Sequence, residues 1–332
     1  MPGQPLDDGT AHALVAAAAA APSIHNTQPW RFRLDTARRT FEVHASRRHP
    51  LPHTDPDGRA VHLSIGTALC NLAAAAVHLG WEPVVRLLPQ PDLPGPLATV
   101  RLAGAPRAAL LRRPDLYRAI WRRRSSRLPF LPDPVPGPVL AELAEAARSD
   151  GARLRHPDAA ERARLLALTA EAEQRSAADP ERRAESSACL AAPGAAEGLP
   201  VYALGAQDSN GRLPMRAFAG PADGVPGERV AFEPDPQLLL LTTRHDGPAD
   251  RLRAGQALQH VLLLLTLHGL RASFLHQALE WPDLRDRMTG PGPERGAPHM
   301  LLRIGYGPAG FPTPRHLTTA LLRQPEVLAS SR

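Results

Sequence analysis

The segment Ala21–Phe32, A-P-S-I-H-N-T-Q-P-W-R-F, contains the residues best suited to chemistry in this chain of 332 residues. Pro22 lacks an N–H and ends a helix, while Ser23 and Asn26 can bond to backbone in the turn that follows. Pro29 favours an extended conformation of the residue before it. We therefore expect unpaired backbone amides, which suit a flat polar ring. The alternative is a proline-bracketed turn whose aromatic residues only anchor the next strand.

A second candidate segment is Trp121–Phe130, W-R-R-R-S-S-R-L-P-F. Arg123, Ser125 and Arg127 alternate, so an extended backbone would place all three on one side. Arginine donors and a hydroxyl on one side can grip a phosphate monoester. The alternative is a solvated basic cluster at the end of a helix over Pro114–Arg123, where arginines interact with the helix C-terminus.

Three apolar helices are predicted to position these segments. The first runs from Ala11 to Ala21, and two longer ones, each ending in glycine, cover Ser64–Gly80 and Arg251–Gly269. Strand-like runs accompany the two longer helices, at Val84–Leu88, Ala98–Leu102, Gln237–Thr243 and Met300–Ile304. This recurrence predicts an internal duplication into halves of unequal length, residues 1–110 and 111–332.

The larger second half contains a long irregular stretch. Residues 178–233 are rich in Gly, Pro, Ala and Arg and show little periodicity. Leu199–Leu204 and Arg216–Phe218 carry enough apolar side chains to dock on another surface. We interpret residues 186–232 as a lid, and the alternative is a disordered loop.

Composition excludes several classes of protein. The chain has no lysine, which rules out Schiff-base lysines and phosphate-loop lysines. A net charge of +6 could suit nucleic acid, yet aromatic residues make up only 4% and the arginines are scattered. With only Cys70 and Cys189, no signal-peptide pattern and no apolar run that spans a bilayer, we expect a cytoplasmic protein without a membrane or nucleic-acid partner.

Both segments resemble motifs of the nitroreductase-fold flavoproteins. The first resembles their A-P-S-x-x-N-x-Q-P-W-x-F signature, which lies against the isoalloxazine ring of FMN, and the second resembles the R-x-S-x-R/K motif that holds the FMN phosphate and ribityl chain. Their order is inverted here, and each occurs once, in a different half. Glu197–Gly205, E-G-L-P-V-Y-A-L-G, adds a resemblance to the Acg family, whose second half carries a lid over the flavin.

The resemblance covers most of the chain and implies its fold. It implies an α+β protein in which two nitroreductase-like halves, with mixed or antiparallel sheets flanked by helices, form an intrachain pseudo-dimer around one FMN. The opposite site lacks both motifs, because Pro5–His12 has no arginine clamp and Pro134–Arg153 has no A-P-S loop. A pseudo-dimer needs no partner to complete its site, so we expect a monomer or a weak homo-oligomer.

The resemblance also nominates residues for each end of FMN. The expected ring neighbours are Pro22, Ser23, Ile24, His25, Asn26, Phe274, Leu275 and His276, and the expected phosphate ligands are Arg123, Ser125, Arg127 and Arg315. Without lysine, Arg123 or Arg127 must stabilise the negative charge of reduced flavin. Arginine cannot act as an acid, so proton delivery falls to His25, His276 or water.

The expected function is an NAD(P)H-dependent flavin oxidoreductase. Hydride would pass from the nicotinamide through flavin N5 to a small electron-poor acceptor such as a nitroaromatic, a quinone or an activated alkene. The main alternative is a catalytically silent protein that sequesters or senses FMN under a closed lid. A third possibility is an arginine-rich nucleic-acid binder with strongly salt-dependent binding.

Two further patterns are interpreted as non-functional. Gly305–Gly310, G-Y-G-P-A-G, matches a dinucleotide-binding fingerprint, but the prolines after it forbid the helix that must follow. The histidines at 44, 49, 53 and 62 lack the cysteine or paired carboxylate partners of a metal site. We therefore expect no metal.

Overall fold

The computed structural model describes residues 6–46, 48, 50–111, 114–192, 194–218, 228–290 and 296–323. The helices are α1 Asp8–Ala19, α2 Arg59–His78, α3 Ala108–Leu111, α4 Tyr117–Arg122, α5 Gly137–Ser149, α6 Ala159–Ala178, α7 Pro180–Ala188, α8 Pro248–Leu267, α9 Pro282–Met288 and α10 Thr318–Leu321. The strands are β1 Trp30–Asp35, β2 Thr40–Ala45, β3 Pro83–Leu87, β4 Ala98–Leu102, β5 Arg153–Arg155, β6 Gln207–Asp208, β7 Arg229–Val230, β8 Gln237–Thr243, β9 Arg271–Phe274, β10 Ala297–Gly305 and β11 Leu322–Arg323.

When β11 is left out, the two main sheets have the same strand order, in which the first, second, fourth and third strands along the chain lie side by side. The first sheet runs β11-β1-β2-β4-β3, and the second runs β5-β8-β10-β9. Apart from β11, which pairs with β1 in parallel, neighbouring strands in both sheets are antiparallel. In each sheet a 20-residue helix, α2 or α8, connects the second strand along the chain to the third. The α+β class predicted from the sequence is confirmed.

The helices α2 and α8 cross through a pair of glycines. A Cβ added to Gly66 would lie 2.2 Å from the carbonyl oxygen of Leu252, and one added to Gly255 would lie 2.1 Å from that of Leu63. Each glycine is therefore needed for the other helix to approach. Helix α2 is long and apolar enough to cross a membrane, but 67% of its most apolar window is buried inside the protein.

Three apolar clusters hold these layers together. The first packs α1 and α2 on the first sheet and contains the fully buried Trp30 and Phe32. The second packs α5 and α8 on the second sheet, around Leu143 and Leu302. The third lies on the opposite side of the second sheet, where α6 and lid residues such as Met215 cover it. Both faces of the second sheet are thereby buried.

The predicted helices begin earlier than the sequence indicated. Helix α2 starts at Arg59, because the Asp55 carboxylate accepts hydrogen bonds of 2.9 Å from the amides of Ala60 and Val61. Helix α8 starts at Pro248, where Asp250 accepts from the amide of Gly247. In both helices a carboxylate takes up amides that the first turn leaves free.

The long connection between β5 and β8, residues 156–236, replaces the tight turn that joins β1 to β2. It contains the predicted lid, part of which, residues 193 and 219–227, lies outside the described residues. The expectation of an irregular chain from residue 178 onward was wrong for its first part, which forms α7. Asp179 caps this helix and Pro180 occupies its first position, a pairing that the sequence already contained.

Candidate functional site

One cavity, called the main cavity below because it contains most of the predicted ring neighbours, lies beside α2, where the loop after α1 meets the end of β9 and the predicted lid. It has a volume of about 760 Å³, partly open to solvent. Its walls are largely apolar, and a few polar groups point into it, as in sites that bind small ligands. The lining comprises Pro22, Ser23, Ile24, His25, Ala60, Leu63, Ser64, Thr67, Arg127, Met215, Arg216, Phe218, Leu258, Ser273, Phe274, His276, Gln277 and Met300.

The loop after α1 is held in an unusual conformation. His25, Asn26 and Gln28 all have left-handed backbone, with φ of 46°, 59° and 48°. Such a conformation costs energy in a residue other than glycine and persists only where surrounding contacts impose it. The extended conformation predicted for Gln28 was therefore wrong. Its side chain donates to the carbonyl of Ala196 at 2.7 Å and accepts from the amide of His316 at 2.9 Å.

The amides of this loop are largely paired, contrary to the prediction that they stay free. Ser23 Oγ accepts from the amide of Gln28 at 3.0 Å, as the sequence suggested, and Ser64 Oγ accepts from that of Ile24 at 3.1 Å. The amides of Asn26 and Thr27 bond to carbonyls within the turn. The loop thus offers the cavity a rigid surface of side chains and carbonyls.

A smaller cavity of about 470 Å³ adjoins the main one. The two share Pro22, Ser23, His25, Arg127 and Phe274. The smaller cavity is further lined by Asn26, Arg123, Arg124, Ser125, Leu199, Phe311, Thr313 and Arg315. The backbone at Ser125 pairs in parallel with Ala272, beside β9. Arg123, Ser125 and Arg127 therefore all line the smaller cavity.

Arg123 is a buried cation for which the described residues supply no ion-pair partner. Its residue is 5% exposed, and neither Nε nor one terminal nitrogen has a hydrogen-bond partner in the part of the chain that the structure describes. Burial, with the nearby charges of Arg315 and Arg124, lowers the pKa of Arg123 to about 9. An uncompensated buried guanidinium is costly unless an anion meets it. The smaller cavity is therefore suited to an anionic group.

Arg315 crosses from the C-terminal segment to the loop after α1. Its guanidinium donates to Asn26 Oδ1 at 2.7 Å and to the carbonyl of Ala21 at 3.2 Å. The side-chain amide of Asn26 donates in turn to the carbonyls of Gly198 and Pro314, at 2.9 and 3.0 Å. Arg315 thus holds the loop while it lines the smaller cavity, and burial lowers its pKa to about 10.

Arg127 lines both cavities and contacts the segment that the sequence predicts to be a lid. It donates to the carbonyl of Ala203 at 2.8 Å, and its guanidinium lies 5.6 Å from the ring of Phe218. Gly205, with φ of 78°, lets the lid approach, since a Cβ there would lie 2.5 Å from that of Arg127. Burial, followed by the charge of Arg216, lowers the pKa of Arg127 to about 10.

His25 is buried and neutral near pH 7. Burial, followed by the charges of Arg216, His276 and Arg127, lowers its pKa well below the ordinary value of 6.5. Its Nε2 has no partner among the described residues, and its ring meets that of Phe218 edge-on at 5.2 Å. A neutral imidazole carries no ready proton to give, so the expected proton delivery falls more naturally to His276.

His276 shares a buried carboxylate with two arginines. Glu280, whose side chain is 1% exposed, accepts from His276 Nδ1 at 3.1 Å and contacts Arg216 through the same oxygen, Oε1. Its other oxygen lies 3.4 Å from Arg182. Sequence reasoning missed Glu280 and Arg216. The four-residue spacing of His276 and Glu280 was the available signal, because it places two side chains on one side of a helical turn.

Leu275 is the one nominated residue that lines neither cavity. Its side chain lies in the apolar cluster under α6 rather than in either cavity, because successive residues at the end of β9 face opposite sides of the sheet. The other nominated residues line one or both cavities. Their roles toward a ligand stay a prediction.

The two patterns interpreted as non-functional have ordinary environments. No helix follows β10 between residues 306 and 317. His44, His53 and His62 lie next to Glu42, Glu181 and the carbonyl of Gly58, and His49 lies outside the described residues. Within those residues, no group of three or more His, Cys, Asp or Glu side chains could hold a metal ion.

Comparison with known proteins places the chain in a family. No family model matches it. A protein of Mycobacterium tuberculosis named "Putative NAD(P)H nitroreductase Rv3131" is 34% identical, over 98% of this chain and 94% of that protein. The chain belongs to the NAD(P)H nitroreductase family. Another M. tuberculosis member of this nitroreductase family, named "Putative NAD(P)H nitroreductase acg", is 29% identical over 89% of this chain and 88% of its own length. The predicted Acg-type membership is confirmed.

Solved structures of nitroreductases have lower sequence identity to this chain. The FMN-bound nitroreductase of Bacteroides fragilis is 13% identical and has a TM-score of 0.36, with 60% of this chain and 92% of that chain covered. NfnB of Mycobacterium smegmatis, solved with NADPH, is 16% identical and has a TM-score of 0.34, with 57% and 86% covered.

Proposed function

We propose that the chain is an FMN-dependent oxidoreductase that takes hydride from NAD(P)H and delivers it to a small electron-poor acceptor. The observation that carries the proposal is the buried guanidinium of Arg123, two of whose nitrogens have no hydrogen-bond partner among the described residues. It lines a cavity that adjoins a larger, mostly apolar one. FMN carries both a phosphate, which suits the smaller cavity with its arginines, and a flat ring, which suits the larger apolar cavity.

The residues present fit this cofactor. Arg123, Ser125 and Arg315 would hold the phosphate, because all three line the smaller cavity and carry hydrogen-bond donors. Pro22, Ile24 and Phe274 would face the ring with apolar surface in the larger one, where Ser273 Oγ is also a buried polar atom without a partner among the described residues. Arg127 lies between the two and would place a fixed positive charge beside the ring.

FMN, when bound, supplies the two-electron chemistry, in which hydride enters and leaves through N5. The chain supplies binding, charge and exclusion of water. Arg127 keeps its charge at any physiological pH, because even a pKa near 10 leaves it protonated at pH 7, and it would stabilise negative charge that develops on the ring. The proposed acceptors are nitroaromatics, quinones and activated alkenes. His276 is the proposed proton donor to the acceptor.

We infer that the two halves, residues 1–110 and 111–332, form an intrachain pseudo-dimer. The shared strand order of the two sheets and the reciprocal contact of Gly66 with Gly255 support this inference. In such an arrangement the loop after α1 comes from one half and the arginine motif from the other. A single chain would then complete the site alone.

The test begins with an absorption spectrum of the purified protein. We expect a yellow protein that releases FMN on heating, and an anaerobic solution that bleaches with NADPH or NADH and recovers its colour when a quinone is added. A preparation that stays colourless after soaking in FMN would refute the proposal. A free chain that is monomeric at full flavin occupancy would agree with an intrachain site, and one flavin per two chains would contradict it.

A second candidate function is storage of FMN without turnover. Met215, Arg216 and Phe218 of the lid line the main cavity, and Phe218 contacts the His25 ring. A nicotinamide that stacks on the flavin would have to displace these side chains. A yellow protein that keeps its colour under both nicotinamides would favour this function.

A further inference from the structure

Glu280 joins three segments of the protein at one buried carboxylate. His276 comes from the wall of the main cavity, Arg216 from the lid and Arg182 from α7. Arg182 also stacks on Trp281, with its guanidinium 4.0 Å from the ring centroid. Charges this deeply buried interact strongly, because water screens them little.

The atoms of this cluster compete with one another. His276 Nδ1 and the Arg216 guanidinium both contact Oε1 of Glu280, whereas Arg182 contacts Oε2. When Arg216 is at Oε1, its positive charge opposes that of a protonated His276 and offsets the attraction of the carboxylate. When Arg216 is absent, His276 has Oε1 to itself. The position of Arg216 therefore controls how strongly this corner of the cavity favours a protonated imidazole.

Arg216 belongs to the lid that covers the main cavity. It lines this cavity together with Met215 and Phe218, and its guanidinium lies 5.7 Å from the Phe218 ring. Any ligand that enters from this side must move these residues, and Arg216 would then leave Oε1. The same displacement would admit water to His276.

On this basis we propose that Glu280 is a positioning residue that couples the lid to the charge of His276. With the lid open, His276 takes a proton from water and Glu280 stabilises the imidazolium. With the lid closed, Arg216 returns to Oε1 and drives this proton from the ring to the acceptor, which gains one hydride and one proton in the whole reaction. The final transfer rests on the proposed oxidoreductase function, whereas the coupling of Arg216 to His276 does not.

Other charged groups near His276 are less well placed for this task. His25 faces it across the main cavity and is neutral, and Arg127 is held by the carbonyl of Ala203. Further groups around the cluster are Glu173 on α6, and Arg59, Arg285, His299, Asp55 and Asp57 of the cavity on the other side of His276. Within the lid segment 213–218, the charged residue Arg216 contacts Glu280.

The test is an NMR titration of the full-length, isotope-labelled protein. The chain has 14 histidines, so a His276→Gln variant identifies the resonance. We expect Arg216→Gln to raise the pKa of His276 by about 1 unit, a tenfold change in proton affinity, and Glu280→Gln to lower it by a similar amount. Arg216→Lys, which keeps the charge, should restore a value near that of the wild type. Arg212→Gln, at the exposed position just before residues 213–218, is the matched control.

A His276 titration that stays the same or falls in Arg216→Gln would overturn the proposal. If this variant fails to fold, Glu280→Gln still decides, because the proposal requires a lower pKa there. Linkage supplies an independent readout, since protonation of His276 must favour release of the lid by the same free energy. The protection factors of the amides of residues 213–218, which compare exchange with the intrinsic base-catalysed rate at each pH, should therefore fall as pH falls, and His276→Gln should abolish this dependence.

The outcomes separate this inference from the proposed function. If the protein never binds FMN but the pKa of His276 rises in Arg216→Gln and falls in Glu280→Gln, the coupling is supported and the proposed oxidoreductase function is refuted. If the protein reduces flavin with NAD(P)H but the His276 titration is unchanged in Arg216→Gln, the proposed function is supported and the coupling is refuted.

Discussion

Replacing Arg123 with methionine should stabilise the flavin-free protein and weaken FMN binding together. The ordinary pKa of 12.5 falls to about 9 at this position, so the charged form is less favourable in the folded protein than in the unfolded one. At roughly 1.4 kcal/mol per unit, the difference is at most about 5 kcal/mol, present at every pH below about 9. Burial of an unpaired polar group typically costs less than this upper bound, so we expect the free energy of unfolding to rise by roughly 1 to 3 kcal/mol.

The binding half of the same experiment compares FMN with riboflavin, which lacks the phosphate. A hydrogen bond to a charged group contributes roughly 1.5 to 3 kcal/mol, so FMN affinity should fall at least about tenfold in Arg123→Met. Riboflavin affinity should stay within about twofold. Urea unfolding of the flavin-free protein and flavin fluorescence titrations measure both quantities. Arg122→Met, at the exposed neighbouring position, is the control and should change neither.

One pair of results would refute the reasoning about Arg123. If Arg123→Met lowered the free energy of unfolding without flavin, the guanidinium would have a stabilising partner in the folded protein. If the ratio of FMN to riboflavin affinity also stayed the same, the smaller cavity would not bind the phosphate.

Three further outcomes follow from the packing and charges. Gly255→Ala should lower the free energy of unfolding by roughly 1 to 3 kcal/mol or more in urea unfolding, because its Cβ would overlap the Leu63 carbonyl. The control is Gly104→Ala, whose Cβ would meet no atom within 4 Å and which should cost less than about 0.5 kcal/mol. Phe218→Ala should speed anaerobic bleaching by NADPH in stopped-flow mixing, because it removes the ring that covers His25; an unchanged rate would mean that the lid does not limit access. Burial lowers the pKa of His299 from 6.5 to about 3, so His299 binds its proton more readily in the unfolded chain. The free energy of unfolding should therefore fall as pH drops from 6.5 towards 3, by up to about 1.4 kcal/mol per pH unit. Urea unfolding at several pH values measures this slope, and His299→Gln should flatten it.

The sequence predicted much of the site, because its key residues occur in short segments with local constraints. Pro22 and Ser23 mark the end of α1, and the alternation of Arg123, Ser125 and Arg127 needs only an extended backbone to align them. These constraints act within a few residues, so they are visible without the fold.

The errors come from contacts between distant segments. Gln28 adopts a left-handed backbone because Ala196 and His316 hold its side chain at both ends, and neither partner is near in sequence. Glu280 is one of 33 acidic residues, and only the fold brings Arg182 and Arg216 to it. The inward side chain of Leu275 depends on which face of β9 is covered by α6.

The connection between β5 and β8 has a consequence for protein design. The chain leaves the second sheet after Arg155 and returns at Gln237 on the adjacent strand, so both ends of residues 156–236 are fixed by one antiparallel ladder. Homologues could lengthen, shorten or exchange this excursion without altering the register of the strands that carry it. The same connection carries α6 and the residues that bury one face of the second sheet, so a change in its length would be tolerated only where that apolar cluster stays covered.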